Sequence, residues 1–257
     1  MMKKYILVLV LSIILGGCTK QEMPIDEPVI TDNPTEELRL TKEEQQEILK
    51  DYYTILKSNR DQQEVIEFID DNIADLDTEI VDEIVLSLEE FLRISNSSMN
   101  ELGSILTKYY NYSSDEVKSY ITILDIEGQA LFTDGEQINI DLEELLNRAI
   151  TAENHIRIFQ NSRTRTRVFD LYGAYVRGAI EGLGNQYIYA TEGASTIKAE
   201  VLESYKKLIV NHNDSATASI LEKYIENLEL DNNDMNGANT LKFYEGLESF
   251  INDLSFQ

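Results

Sequence analysis

The sequence predicts an all-α domain, and three observations carry that expectation. The three prolines, Pro24, Pro28 and Pro34, all lie near the start, so beyond them no residue breaks a helix by removing an amide donor. After residue 41, apolar residues recur three and four apart almost everywhere, which gathers them on one face of a helix. Ser, Thr or Asp followed three residues later by Glu marks several of the starts. The expected architecture is eight to nine amphipathic helices in one bundle-like domain spanning residues 41–257, a length that can bury a sizeable core.

The elements follow in order. Thr41-Lys42-Glu43-Glu44 has the form of a capping box, in which Thr41 accepts from free amides and Glu44 reaches back. Ile48, Leu49, Tyr52, Ile55 and Leu56 then make one face; Val65, Ile69, Ile73 and Leu76 make the next. The clearest stripe runs from Ile80 through Ile84, Leu88 and Phe91 to Leu92. Ser98 with Glu101 and Ser113 with Glu116 read as two further boxes, and Asp141 with Glu144 as a similar start. One stretch, "QALFTDGEQINI", reads as extended around an Asp134-Gly135 turn. Three more helical stripes close the chain, from Ile197 to Ile209, Ile220 to Leu228 and Leu241 to Leu254. No fixed period joins these units into a regular solenoid.

The first residues carry an address. Lys3 and Lys4 precede an apolar run, Tyr5 to Leu15, that breaks at Gly16-Gly17-Cys18. A basic start, an apolar run of about 11 residues and small residues at the break describe an export signal. The run falls short of the roughly 20 residues that a membrane-spanning helix needs. Leu15-Gly16-Gly17-Cys18 resembles the lipobox of bacterial lipoproteins. That resemblance covers the N-terminal residues alone. It implies removal of residues 1–17, lipid attachment at Cys18, and residence in the cell envelope on the outer side of the cytoplasmic membrane or on an outer membrane. Two or three acyl chains, at roughly 0.8 kcal/mol per buried methylene, would hold the protein on the bilayer firmly. Residues 18–40 are acidic, hold every proline and lack helical periodicity, so they read as a disordered tether. Cys18 is the only cysteine, and no disulfide is expected to support the domain.

Charge narrows the partners. The chain carries a net −25, and residues 61–90 hold twelve carboxylates with no lysine or arginine. Binding to nucleic acid is excluded on this reading, because neutralising phosphates requires the opposite sign. The acidic stretch itself reads as the solvated outer faces of helices.

One segment departs from this background. Residues 155–190 hold Arg157, Arg163, Arg165, Arg167 and Arg177, five of the nine arginines. On a helix Arg163 and Arg167 would share a face, with Asp170 answering Arg167 and Glu181 answering Arg177 one turn on. Two readings stand side by side. The arginines bind the protein's own acidic helices, or they form a site for a carboxylate or phosphate, which a planar guanidinium suits. Gly173, Gly178, Gly182 and Gly184 interleave with Tyr172, Tyr175, Tyr187 and Tyr189 in the same region. They mark either close helix packing or a tyrosine-lined cleft, so Arg163, Arg165, Arg167, Arg177, Tyr172 and Tyr175 form the candidate binding set.

No catalytic motif emerges. His155 and His212 lie far apart in sequence, without serine or cysteine partners at a recognisable spacing and without a zinc-protease pattern. His155 reads as a hydrogen-bonded structural histidine and His212 as part of a helix-ending turn. No G-x-S-x-G elbow or P-loop occurs. Aligning Gly237 with the sixth position of an EF-hand loop puts Asn232, Asp234 and Asn236 at ligand positions, but Phe243 then stands where the bidentate glutamate belongs. That stretch reads as a polar turn with Gly237 at positive φ, and no metal or cofactor is expected. The expected function is a lipid-anchored module that binds an unknown protein. The alternatives are capture of a small anionic ligand, or a hydrolase built from dispersed carboxylates and the arginine region.

Overall fold

The computed structural model describes residues 40–58, 61–184, 189–191 and 193–253. The signal residues, Cys18, the tether up to residue 39 and Tyr187 lie outside them. Ten α-helices follow one another among the described residues: α1 (Lys42–Ser58), α2 (Gln62–Asn72), α3 (Thr78–Ile94), α4 (Met99–Thr107), α5 (Asp115–Gln129), α6 (Leu142–Ile158), α7 (Arg165–Glu181), α8 (Ala199–Asn211), α9 (Ala216–Leu230) and α10 (Ala238–Asp253). Two short 3-10 turns, Ile73–Asp75 and Tyr110–Tyr112, bridge α2 to α3 and α4 to α5. The fold is all-α, with a helix count just above the expected eight to nine. Residues 155–164 show how a boundary escapes sequence: α6 ends at Ile158 and α7 begins at Arg165 with neither proline nor glycine between them.

The helix starts follow the expected chemistry, with one shift. Thr41 and Glu44 form the full reciprocal box: the Glu44 amide donates to Thr41 Oγ1 at 3.2 Å, and the Thr41 amide and hydroxyl each donate to Glu44 Oε2 at 2.8 Å. The Thr41 amide holds the Glu44 carboxyl below the usual carboxylate range. Ser98 caps α4 through the Glu101 amide, but the Glu101 carboxylate accepts from Gln62 on α2. At α5 the cap is Ser114, which accepts from the Val117 amide, and not Ser113. Ser113 is buried and donates to the Tyr109 carbonyl, which leaves Glu116 to work elsewhere.

"QALFTDGEQINI" forms a turn and a single antiparallel bridge, Thr133 to Ile138, rather than a strand. Asp134 Oδ1 accepts from the Glu136 and Gln137 amides at 2.9 Å, closing the turn over Gly135 at φ +93°.

Sequential helices pair most closely, α4 on α5, α6 on α7 and α9 on α10. Gly128 sets the first of these contacts. A Cβ there would stand 2.8 Å from the Met99 carbonyl oxygen and 3.2 Å from Asn100 Cα, both of them backbone at the start of α4. Gly128→Ala is expected to cost about 1–3 kcal/mol through forced separation of the helices, measurable as a lower urea midpoint. The approach expected at Gly178 is absent, since a Cβ there would meet only side-chain atoms at 3.5 Å or beyond. Gly182 instead ends α7 at φ +71°, beneath the Tyr189 ring.

Tyrosines dominate the largest buried side chains in a chain that has no tryptophan. Burying a phenol requires a partner for its hydroxyl, and each finds one. Tyr52 donates to the Ile84 carbonyl, Tyr109 to Asp70, Tyr189 to the Gly178 carbonyl and Tyr205 to the Ala179 carbonyl. Tyr224 shares a 2.7 Å bond with Tyr244. These bonds tie neighbouring segments of the bundle and, through Tyr52, α1 to α3, and they fix register as well as apolar burial.

Candidate functional site

The structure divides the candidate set. Tyr172 and Tyr175 lie in the core, Tyr172 within 3.4 Å of the Thr217 hydroxyl and Tyr175 donating to Glu127 Oε1 at 2.8 Å. They line no open cleft. Arg165 opens α7, and its guanidinium donates to the Ile156 carbonyl at 2.6 Å. Arg177 reaches Glu248 on α10, a pairing between helices in place of the expected one with Glu181. Arg167 pairs with Glu89 of α3, not Asp170, and Glu89 is also bound by Arg93 and accepts from Tyr120. Arg163 precedes α7 in the loop, so it shares no helix face with Arg167; its partner is Glu83 of α3.

Two members of the set do meet. Arg163 and Arg167 stand at the rim of an open groove of about 690 Å³ between α1, α3 and the start of α7. Leu56 of α1 and Leu86, Phe91 and Ile94 of α3 supply its apolar surface. Ile94 is 74% exposed in the last turn of α3, on the face opposite the buried stripe. Tyr53 donates its hydroxyl to Glu83 across the groove, and that bond, aided by Arg163, holds the Glu83 carboxyl below its ordinary range. Lys57 and Glu90 complete the rim with opposite charges, and neither has a salt-bridge partner among the described residues. A second shallow depression continues along α1 past Leu49 and Lys50 and shares Tyr53 and Lys57 with the first. An apolar floor edged by both signs of charge suits another protein surface better than a lone anion.

Behind the Arg163 loop lies a polar chain that sequence spacing does not reveal. His155 is buried, with Nδ1 2.9 Å from Ser119 Oγ of α5 and Nε2 2.8 Å from Thr164 Oγ1. The histidine therefore does have a serine partner, 36 residues away in sequence. His212 forms the C-cap of α8, as its turn setting suggests.

The polar loop after α9 is organised by Asp231. Its carboxylate accepts from Asn239 Nδ2 at 2.7 Å, from the Thr240 amide at 2.7 Å and from Thr240 Oγ1 at 2.9 Å. The left-handed positions are Asn232 and Asn233, not Gly237. Among the described residues, no cluster of three or more His, Cys, Asp or Glu side chains could hold a metal ion. None of the described helices is long and apolar enough to cross a membrane.

No protein-family model matches this chain, and no curated protein or solved structure is significantly similar to it.

Proposed function

We propose that this chain is a lipid-anchored lipoprotein of the bacterial envelope whose helical domain binds a protein partner through the groove between α1, α3 and α7. The observation that carries the reading is the groove itself. An exposed Ile94 and its apolar neighbours sit inside a rim of Arg163, Lys57 and Glu90. Protein interfaces share this composition: an apolar centre, a mixed polar edge, and arginine and aromatic side chains in contact positions. A small anionic ligand would have to compete with Glu83 for Arg163, which makes it the less favoured occupant. The lipobox at Leu15–Cys18 supports the anchor.

The test places a photo-crosslinking residue at Ile94 in the full-length chain inside cells. One dominant adduct, lost when Lys57 and Glu90 are both charge-reversed, is the expected result. Ile94 and these rim residues are exposed, so the substitutions should move stability by no more than about 0.5 kcal/mol. Equal crosslinking from Ile94 and from a distant exposed site such as Val210 would reject the groove. In parallel, Cys18→Ala is expected to move the protein from the membrane to the soluble fraction; continued retention would reject the anchor.

A further inference from the structure

The polar chain behind the groove has a direction. Ser162 Oγ donates to Glu116 Oε1 at 2.8 Å, and a carboxylate can only accept. With its proton spent there, Ser162 must accept from Thr164 Oγ1 across the 2.6 Å contact between them. Thr164 then has no proton left for the imidazole, so His155 Nε2 carries one and donates to it. A neutral ring therefore accepts at Nδ1 from Ser119. One arrangement satisfies all five groups, running from Ser119 through His155, Thr164 and Ser162 to Glu116.

Glu116 has a second task. The same Oε1 accepts from the Arg163 amide at 3.2 Å, and the Thr164 amide donates to Ser162 Oγ at 3.0 Å. The loop that carries Arg163 to the groove is thus pinned by the chain that ends on the histidine. The charged groups facing the ring are Glu116 from α5 and Arg165 from α7. Tyr120 of α5 and Phe159 pack beside it, with ring centroids 6.5 and 5.1 Å away.

We propose that this relay makes the Arg163 wall of the groove acid-sensitive: a proton on His155 draws Glu116 toward the ring and loosens the loop at residues 159–164. The proton occupies Nδ1 and turns Ser119 from donor to acceptor. The new charge is buried and repelled by Arg165, so Glu116 is its one favourable neighbour among these groups. Glu116 is also the carboxylate that holds the Ser162 hydroxyl and the Arg163 amide, and it cannot serve both equally well. Burial holds the His155 ring below the ordinary histidine range, which sets the transition on the acid side of about 6.5. Because the unfolded chain takes the proton first, stability from this group falls as pH drops through the ordinary histidine value. It levels off below the folded-state value. The consequence for binding rests on the groove being the binding surface; the loop's response does not.

The experiment follows the full-length chain by NMR through a pH titration. The His155 ring carbon reports protonation, and the Arg163 and Thr164 amides report the loop. The expected result is one shared midpoint for all three signals, with the amide transition missing in His155→Gln. Ser119→Ala removes a hydroxyl that donates to the neutral ring and accepts from the charged one. The bond to the charged ring is the stronger, so the variant should lower the ring's midpoint, and the two amides should move with it. Amides that stay flat while the ring titrates would overturn the proposal, as would an amide midpoint that ignores Ser119→Ala. No partner enters these readouts. A groove that fails to crosslink leaves this test unchanged, and a failed relay leaves the crosslinking test unchanged.

Discussion

Replacing Glu127 with alanine is expected to cost about 3–5 kcal/mol, the usual consequence of removing one member of a buried ion pair. Glu127 of α5 and Arg148 of α6 are 2% and 5% exposed, and their side chains are in direct contact. Glu127 also accepts from the Tyr175 hydroxyl and, at 3.3 Å, from the Phe132 amide. Alanine therefore strands three donors at once. Arg148 would keep the Ala130 carbonyl and its ion pair with the more exposed Glu144, which place the cost toward the lower end of that range. For a domain of this size each kcal/mol lowers the midpoint by roughly 2–4 °C, so thermal unfolding should fall by about 10 °C. The companion variant Glu127→Leu with Arg148→Met should recover much of that loss, because a packed apolar pair has no charge to desolvate. A single-variant loss under about 1 kcal/mol in urea unfolding would show that water reaches this pair.

Glu127 also shows what the sequence reveals and where it stops. The helical class and most helix starts are legible because they depend on local physics: apolar spacing, a side-chain oxygen near free amides, and the position of proline. Thr41 with Glu44 and Asp141 with the Glu144 amide form as their spacing implies. The site is not local. Glu89 follows Val85 by four residues and precedes Leu92 by three; Glu127 stands likewise after Ile123 and Leu124. Both carboxylates thus fall on the apolar face of their helices, a signal that burial with a cationic partner was coming. Which cation answers each one depends on how α6 and α7 cross α3 and α5, and periodicity does not encode that. The same limit hid the approach of Ser119 to His155 and the meeting of Arg163 with α3. The expected helix through Arg163 fails for a different reason. "QNSRT" contains polar, turn-tolerant residues but no proline or glycine, and its break is enforced by Glu116 binding Ser162 and the Arg163 amide from another helix.

Arg167→Ala and Arg163→Ala are expected to part ways, although the two side chains border the same groove. Arg167 grips Glu89, whose side chain has no solvent exposure. Losing it leaves one carboxylate oxygen without its cation, while Arg93 and the Tyr120 hydroxyl still serve the other. A cost of about 2–3 kcal/mol follows, below the full price of breaking a buried pair because one cation remains. Arg163 pairs with Glu83 where both side chains are substantially exposed, and such pairs contribute about 0–1 kcal/mol. Urea unfolding of the two variants should separate them by more than 1 kcal/mol. Crosslinking from Ile94 should respond in the opposite order per unit of stability lost, since Arg163 stands free to meet a partner once Glu83 is exchanged for it. Equal stability losses would mean that Arg163 is as much a support as Arg167, and the groove would keep only Lys57 and Glu90 as charged contacts. A stable Arg163→Ala chain that no longer crosslinks at Ile94 would place the binding energy in this loop, on the more exposed of the two arginines at the groove.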